Sequence, residues 1–177
     1  ASEIDAFVLY DMPGIEFTGS EPPARFLQPP DEYIENFSAL LERGQGMVFL
    51  HHAIAGWPAW PSYAQIIGGH FSYQSIDENG LSRPDSGYRH EVRHAIDVVE
   101  IEHPVCAGLD PTFEIVDEVY LFTVFEEDVI PLMRSHHNFS ADNFYSANLA
   151  IRGSRDSRRG WRHPDGSNLV AWAKRAG

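Results

Sequence analysis

The sequence predicts an α/β fold with a mainly parallel central sheet. Three observations carry that expectation. Two short apolar runs, "AFVLY" within residues 5–11 and "MVFL" at 47–50, have the length and composition of buried strands. Between them Ile34, Phe37, Leu40 and Leu41 recur at helical spacing on one face. Strand, helix and strand in that order imply a βαβ unit, hence parallel pairing. The chain of 177 residues shows no internal repeat and no linker, so one domain spanning 1–177 is expected.

The elements follow in order. Asp-Met-Pro-Gly after the first run is a turn, and residues 12–30 hold Pro13, Pro22, Pro23, Pro29 and Pro30, which makes them loop. Asp31 is the expected N-cap of the first helix, with Glu32 and Glu35 suited to its positive end. Gly44 and Gly46 end it. A short helix is expected at 60–69 and an exposed polar excursion at 76–92. Strands are expected at 94–102, 112–122 and 128–137, the last pushed towards a sheet edge by Pro131. Ser140 reads as the cap of a short helix running to Ala150. Residues 152–167 form a basic loop, and a last strand begins near Asn168. The whole reads as an open α/β sandwich.

The formal net charge is −13, which argues against a nucleic-acid partner or an anionic membrane surface. No apolar run reaches the roughly 18 residues of a membrane span. A small neutral or cationic molecule is the partner class that fits. A single cysteine, Cys106, allows no disulfide within the chain, and without a histidine at a characteristic spacing it is expected to be inert. This suits the cytoplasm and leaves the periplasm open. The oligomeric state is open too, a homo-oligomer included.

Four places could carry chemistry. "GMVFLHHAIAGW" ends a parallel strand on His51 and His52, and ligands of parallel sheets bind outside the carboxyl ends of the strands. Strand alternation would send the two imidazoles to opposite faces, unless the chain turns sharply after Leu50. Trp57, Trp60, Tyr63, Phe71 and Tyr73 form an aromatic set. Trp57 and Tyr63 are candidates for a ligand wall, and core packing is the plainer alternative. His103, before Pro104, sits at a strand-ending turn. In "DEVYLF", alternation puts Glu118 and Tyr120 on one face, where a carboxylate could orient a histidine or complete a metal site. His51 or His52 with His70, His103 or Glu118 could hold a divalent metal, although no tight zinc motif is present. His136–His137 and the arginines between 152 and 162 read as loop residues, the arginines with an anion contact as their alternative.

Taken together, "DAFVLYD", "GQGMVFLHHAIAGWPAWPSYAQIIGGHF", "HPVCAGLDPTFEIVDEVYLF" and "HPDGSNLVAWAKRAG" resemble the trehalose-utilisation, ThuA-like, family. The resemblance covers about residues 5–174. It implies the class I glutamine amidotransferase-like fold, a flavodoxin-like three-layer sandwich. It also implies a carbohydrate substrate, trehalose or a related disaccharide or keto-sugar. Family members usually carry a further strand before "DAFVLYD" and a Gly-Arg strand with a Gly-His turn after the Trp172 region. The resemblance therefore implies a chain trimmed at both ends. The sequence departs from the family at Gln74, where His-Pro is frequent, and in the 76–92 excursion.

True glutamine amidotransferases place a nucleophilic cysteine at the strand-to-helix elbow. The matching place here reads Leu50-His51-His52-Ala53, so glutamine hydrolysis is rejected. The expectation is acid/base chemistry on a disaccharide or keto-sugar. Its catalytic residues would be His51, His52 and Glu118, and Trp57, Tyr63, His70, His103 and Tyr120 would bind substrate. No cofactor is demanded by these residues, and a divalent metal is the one they could accommodate. The alternatives are a non-catalytic sugar-binding or assembly module and a metal-assisted hydrolase.

Overall fold

A 12-residue helix between two four-residue strands sets up the first unit. The structure, a computed structural model, describes residues 4–78 and 81–175. Strand β1 (Ala6–Leu9) leads through a short antiparallel hairpin, β2 (Ile15–Phe17) and β3 (Ala24–Phe26), to helix α1 (Asp31–Glu42). Strand β4 (Gly46–Phe49) then returns parallel to β1, Ala6 to Leu9 facing Gly46 to Phe49 in register. Asp31 and Glu32 occupy the first turn of α1, but the capping position itself is Pro30 and no side chain caps the helix. Leu9, Met47 and Phe49 pack with Phe37 of α1. The other face of this strand pair is open, with Val8 64% and Val48 43% exposed. The two strands expected to be buried on both sides are therefore covered on one.

A 3-10 turn (His51–Ala55) follows β4 and leads to helix α2 (Pro61–Ile67), whose Tyr63 and Ile67 complete the same apolar cluster. Strand β5 (Gly69–His70) comes next, and then β6 (Ile76–Glu78) and β7 (Leu81–Arg83) pair as a hairpin. The excursion expected at 76–92 thus holds secondary structure, although residues 79 and 80 lie outside the described ones.

The largest sheet is antiparallel. Strand β8 (Gly87–Val98) pairs with β9 (Thr112–Leu121) along almost its whole length. Strand β10 (Thr123–Val124) pairs with β5. Strand β11 (Ile130–Ser135) joins β8 and also β13 (Leu169–Ala173), while β12 (Tyr145–Ser146) meets the other end of β8. Helix α3 (Ala147–Ile151) follows β12 and is capped by Ser146, whose hydroxyl accepts the Leu149 N–H. The helix expected from Ser140 is instead a 3-10 turn (Ala141–Asn143), then β12 and α3.

This overturns the expected flavodoxin-like, mainly parallel three-layer sandwich. Among the described residues only β1 and β4 are parallel, and three α-helices are present. The physical reason lies in the connections. Parallel neighbours need a crossover of a dozen or more residues, usually a helix. Between β8 and β9 the chain has one 3-10 turn (Pro104–Cys106), and between β9 and β11 only β10 and another 3-10 turn (Glu126–Asp128). The sandwich extended the βαβ logic of the first unit to strands that lack the helix it requires. Pro131 does not drive β11 to an edge either. It faces Trp172 of β13 at a register shift and lies beyond the part of β11 that pairs with β8.

The sheet has its own apolar layer, formed by Val92, Val119, Leu121, Phe139, Phe144 and Trp161. Cys106 is buried with Val98 and Leu132 and is a free thiol. No helix among the described residues is long and apolar enough to cross a membrane.

Candidate functional site

The last ladder bond of β4 runs from Leu50 N–H to the Leu9 carbonyl, 2.8 Å. The next residue, His51, leaves extended geometry for a left-handed backbone with φ +49°, uncommon for a residue with a Cβ. The chain then closes into the 3-10 turn, held by Ala53 N–H to Leu50 O and, from beneath, by the buried Tyr63 hydroxyl donating to Ala53 O at 3.0 Å. Alternation ends at this turn. The His51 and His52 rings come together edge to face, centroids 4.2 Å apart, with Tyr10 packed against both.

Strand β9 supplies the facing groups. The Tyr120 hydroxyl donates to Glu118 Oε2 at 2.6 Å and lies 3.1 Å from both ring nitrogens of His51. It can therefore accept the proton of whichever nitrogen carries one. His51 Nε2 is 3.5 Å from Glu118 Oε2, both side chains about one-fifth to one-quarter exposed. The other carboxylate oxygen, Oε1, is 3.2 Å from His90 Nδ1. A β-bulge places His90 there. Arg89 faces Val119 and Val92 faces Asp117, so His90 and Glu91 together oppose the single residue Glu118. Glu91 takes up the extra residue with φ +53°.

Burial lowers the proton affinity of the His51 ring, and the neighbouring His52 lowers it further, while Glu118 and Asp117 act in the opposite sense. Burial, and then the hydrogen bond to Glu118, push the Tyr120 hydroxyl far above its ordinary range. Tyr120 is thus a neutral donor near pH 7. Phe71 packs edge-on against Tyr120 and Tyr73. Burial and the Glu118 charge raise the Tyr73 hydroxyl to about 12. His51, His52 and Glu118 are also the one group of three metal-ligating side chains that converges among the described residues, their ligand atoms within 4.8 Å of one another.

The structure brings together His51, His52, Glu118 and Tyr120 and separates the other expected site residues. Trp57 packs on Tyr33 next to the Phe37–Trp60–Tyr63 cluster, and Tyr63 lies in that cluster, 2% exposed. Tyr63 sits under the histidine turn, its hydroxyl on Ala53 O. His70 lines a separate cavity of about 190 Å³ with Ser72, Ser86, Thr123 and His163. A larger open cavity of about 590 Å³ runs between residues 122–128 and 163–167. His103 caps the turn before Cys106, its Nδ1 accepting the Val105 N–H at 3.3 Å. His136 bonds Asp97 at 2.6 Å, Arg152 pairs with Glu21, and Arg158 pairs with Asp142.

Tyr10 and His90 escape the sequence reading. Tyr10 directly follows β1, at the same end of the strand pair as His51, so the rule that located the histidines applies to it as well. His90 faces Glu118 only because of the bulge, and no pattern in the sequence marks that.

Fold and site together define an α+β protein in which a histidine pair at a parallel strand end faces a carboxylate from an antiparallel sheet. The model of the ThuA family, trehalose utilisation, matches residues 26–175, and the chain belongs to that family. The crystal structure of a ThuA-like protein from Parabacteroides merdae ATCC 43184 is similar in fold, with a TM-score of 0.57. The match covers 98% of this chain and 75% of that one at 11% identity. No curated protein matches the chain significantly.

Proposed function

We propose that this trehalose-utilisation family protein is an enzyme that acts on a disaccharide or keto-sugar by proton transfer at the His51–His52–Glu118 cluster. The observation that supports the reading is the hydrogen-bonded unit of His51, Tyr120 and Glu118, a base with its orienting partners. On a keto-glycoside an imidazole takes the acidic proton from the carbon beside the carbonyl. The electron pair forms an enolate. Collapse of the enolate breaks the glycosidic C–O bond two atoms away, and the imidazolium returns the proton to the departing oxygen. No oxidant or reductant is needed.

Cys106 sits in a buried turn between β8 and β9, away from the elbow where glutaminase chemistry needs a thiol. The test is turnover of keto-disaccharides by the parent and by His51→Ala, His52→Ala and Glu118→Gln. A loss of about 10²–10⁴-fold is expected for the histidine that moves the proton. If both histidine variants keep the parent rate, the reading is wrong. Calorimetric sugar binding without turnover in the parent would replace it with a binding module.

A further inference from the structure

Placing two consecutive imidazoles on one side of a chain is costly. His51 achieves it in left-handed geometry, uncommon for a non-glycine residue. The turn that follows is held by the buried Tyr63 hydroxyl, which donates to Ala53 O. The result is two nitrogen ligands and one carboxylate oxygen within 4.8 Å of one another, His51 Nε2 and Glu118 Oε2 already at 3.5 Å. Metal–ligand bonds of about 2.0–2.2 Å need donor atoms roughly 3 Å apart, a closure within reach of half-buried side chains.

The surrounding groups match what ligands need. Tyr120 donates to Glu118 Oε2 and His90 holds Oε1, fixing the carboxylate. The Tyr120 oxygen can accept from the His51 nitrogen that does not ligate. Such outer partners set ring orientation and ligand basicity. Two imidazoles and one carboxylate favour borderline first-row cations over magnesium or calcium, and three protein ligands leave positions open for water or substrate.

We infer that His51, His52 and Glu118 form a binding site for one divalent first-row transition-metal ion. The inference goes beyond the carbohydrate reading, because it needs no substrate. An ion held there would take imidazole nitrogens as ligands and would supply Lewis-acid polarisation of a carbonyl, whereas the acid/base reading is that of the ion-free protein.

The experiment is calorimetric titration of chelator-treated protein with Zn²⁺, Mn²⁺ and Mg²⁺. Saturable binding of one equivalent of Zn²⁺ or Mn²⁺ is expected, with Mg²⁺ much weaker. His51→Ala, His52→Ala and Glu118→Gln should each abolish it, and Tyr120→Phe should weaken it about 10–100-fold. His136→Ala should leave it unchanged. Melting curves of the metal-free variants identify any that fail to fold, and His52→Gln then stands in for His52→Ala. Absence of saturable binding, or binding that survives all three ligand substitutions, overturns the inference. Turnover of keto-disaccharide by the stripped protein without any ion binding sinks this inference and spares the acid/base reading. Ion binding with no turnover does the reverse.

Discussion

The parallel pair β1–β4 and the antiparallel sheet around β8 are built to different standards. The pair has two strands of four residues, one face on helices and one face open, with Val8, Tyr10, Val48 and Leu50 all more than 40% exposed. The sheet has a 12-residue central strand and an apolar layer in which Leu121 and Phe144 are fully buried. The candidate site takes His51 and His52 from the first and Glu118 from the second. The rigid sheet therefore fixes Glu118, Tyr120 and His90, and the lighter unit presents His51 and His52 to them. Strain and irregularity gather at this seam, at His51 on one side and at the Glu91 bulge on the other.

The largest expected effect separates the two regions by stability. Phe144→Ala removes a ring packed against Phe139, Trp161 and Leu121, and should cost about 3–5 kcal/mol. Val48→Thr, on the open face of the pair, should change stability by about 0.5 kcal/mol or less. Urea unfolding of both variants checks this. Similar costs for the two would mean that the face of the pair is covered in solution. Amide exchange sharpens the contrast without mutation. Amides of Gly46–Phe49 should exchange faster than those of β8 that pair with β9, because short strands with an exposed face open locally.

Much of the lighter unit was legible from its residues. Ile34, Phe37, Leu40 and Leu41 mark α1, and the turn signals bracket β1 and β4, because a βαβ unit writes its periodicity locally. The larger sheet was not legible in the same way. Its residues mark the strands roughly, but their direction depends on what joins them, and no local periodicity announces that 99–129 holds no crossover helix. The site divides along the same line. His51 and His52 follow from the strand-end rule, and Glu118 with Tyr120 from alternation along β9. Trp57 and Tyr63 carry the same aromatic signal whether they line a ligand or prop a turn. Only the packing shows that Tyr63 of α2 props the histidine turn and that Trp57 lies on Tyr33 in the same apolar cluster.

Acid separates the regions by a smaller effect. His94 of β8 is buried, its Nδ1 2.6 Å from the Ser135 hydroxyl and its Nε2 without a partner. His137 likewise has a buried Nε2 without a partner. Burial lowers the proton affinity of both rings. For His137, His94 and Arg89 add to it, and for His94 only Asp117 opposes it. A depressed folded value means that the unfolded chain binds the proton first. Stability is then complete above the unfolded value of about 6.5 and falls as pH drops below it. Asp97, held low by hydrogen bonds from His136 and Thr112, follows the same sign in a window below about 4. Urea midpoints measured from pH 8 to 5 should therefore decline below about 6.5, and His94→Asn should flatten that decline. An unchanged slope in the variant would move the acid sensitivity to His137 or to His51, whose proton affinities burial lowers as well.

The smallest effect lies on the hairpin that precedes α1. Arg25 and Glu16 face each other across β2 and β3 and form an ion pair, with side chains 66% and 50% exposed. An exposed pair contributes about 0–1 kcal/mol and is screened by salt. Arg25→Ala should therefore shift the urea midpoint barely at all, and the shift should shrink further in high salt. A larger, salt-independent loss would show that this hairpin is packed into the lighter unit more firmly than its exposure indicates. The contrast between a loosely covered strand pair and a sheet with a buried apolar layer would then narrow from the side of the pair.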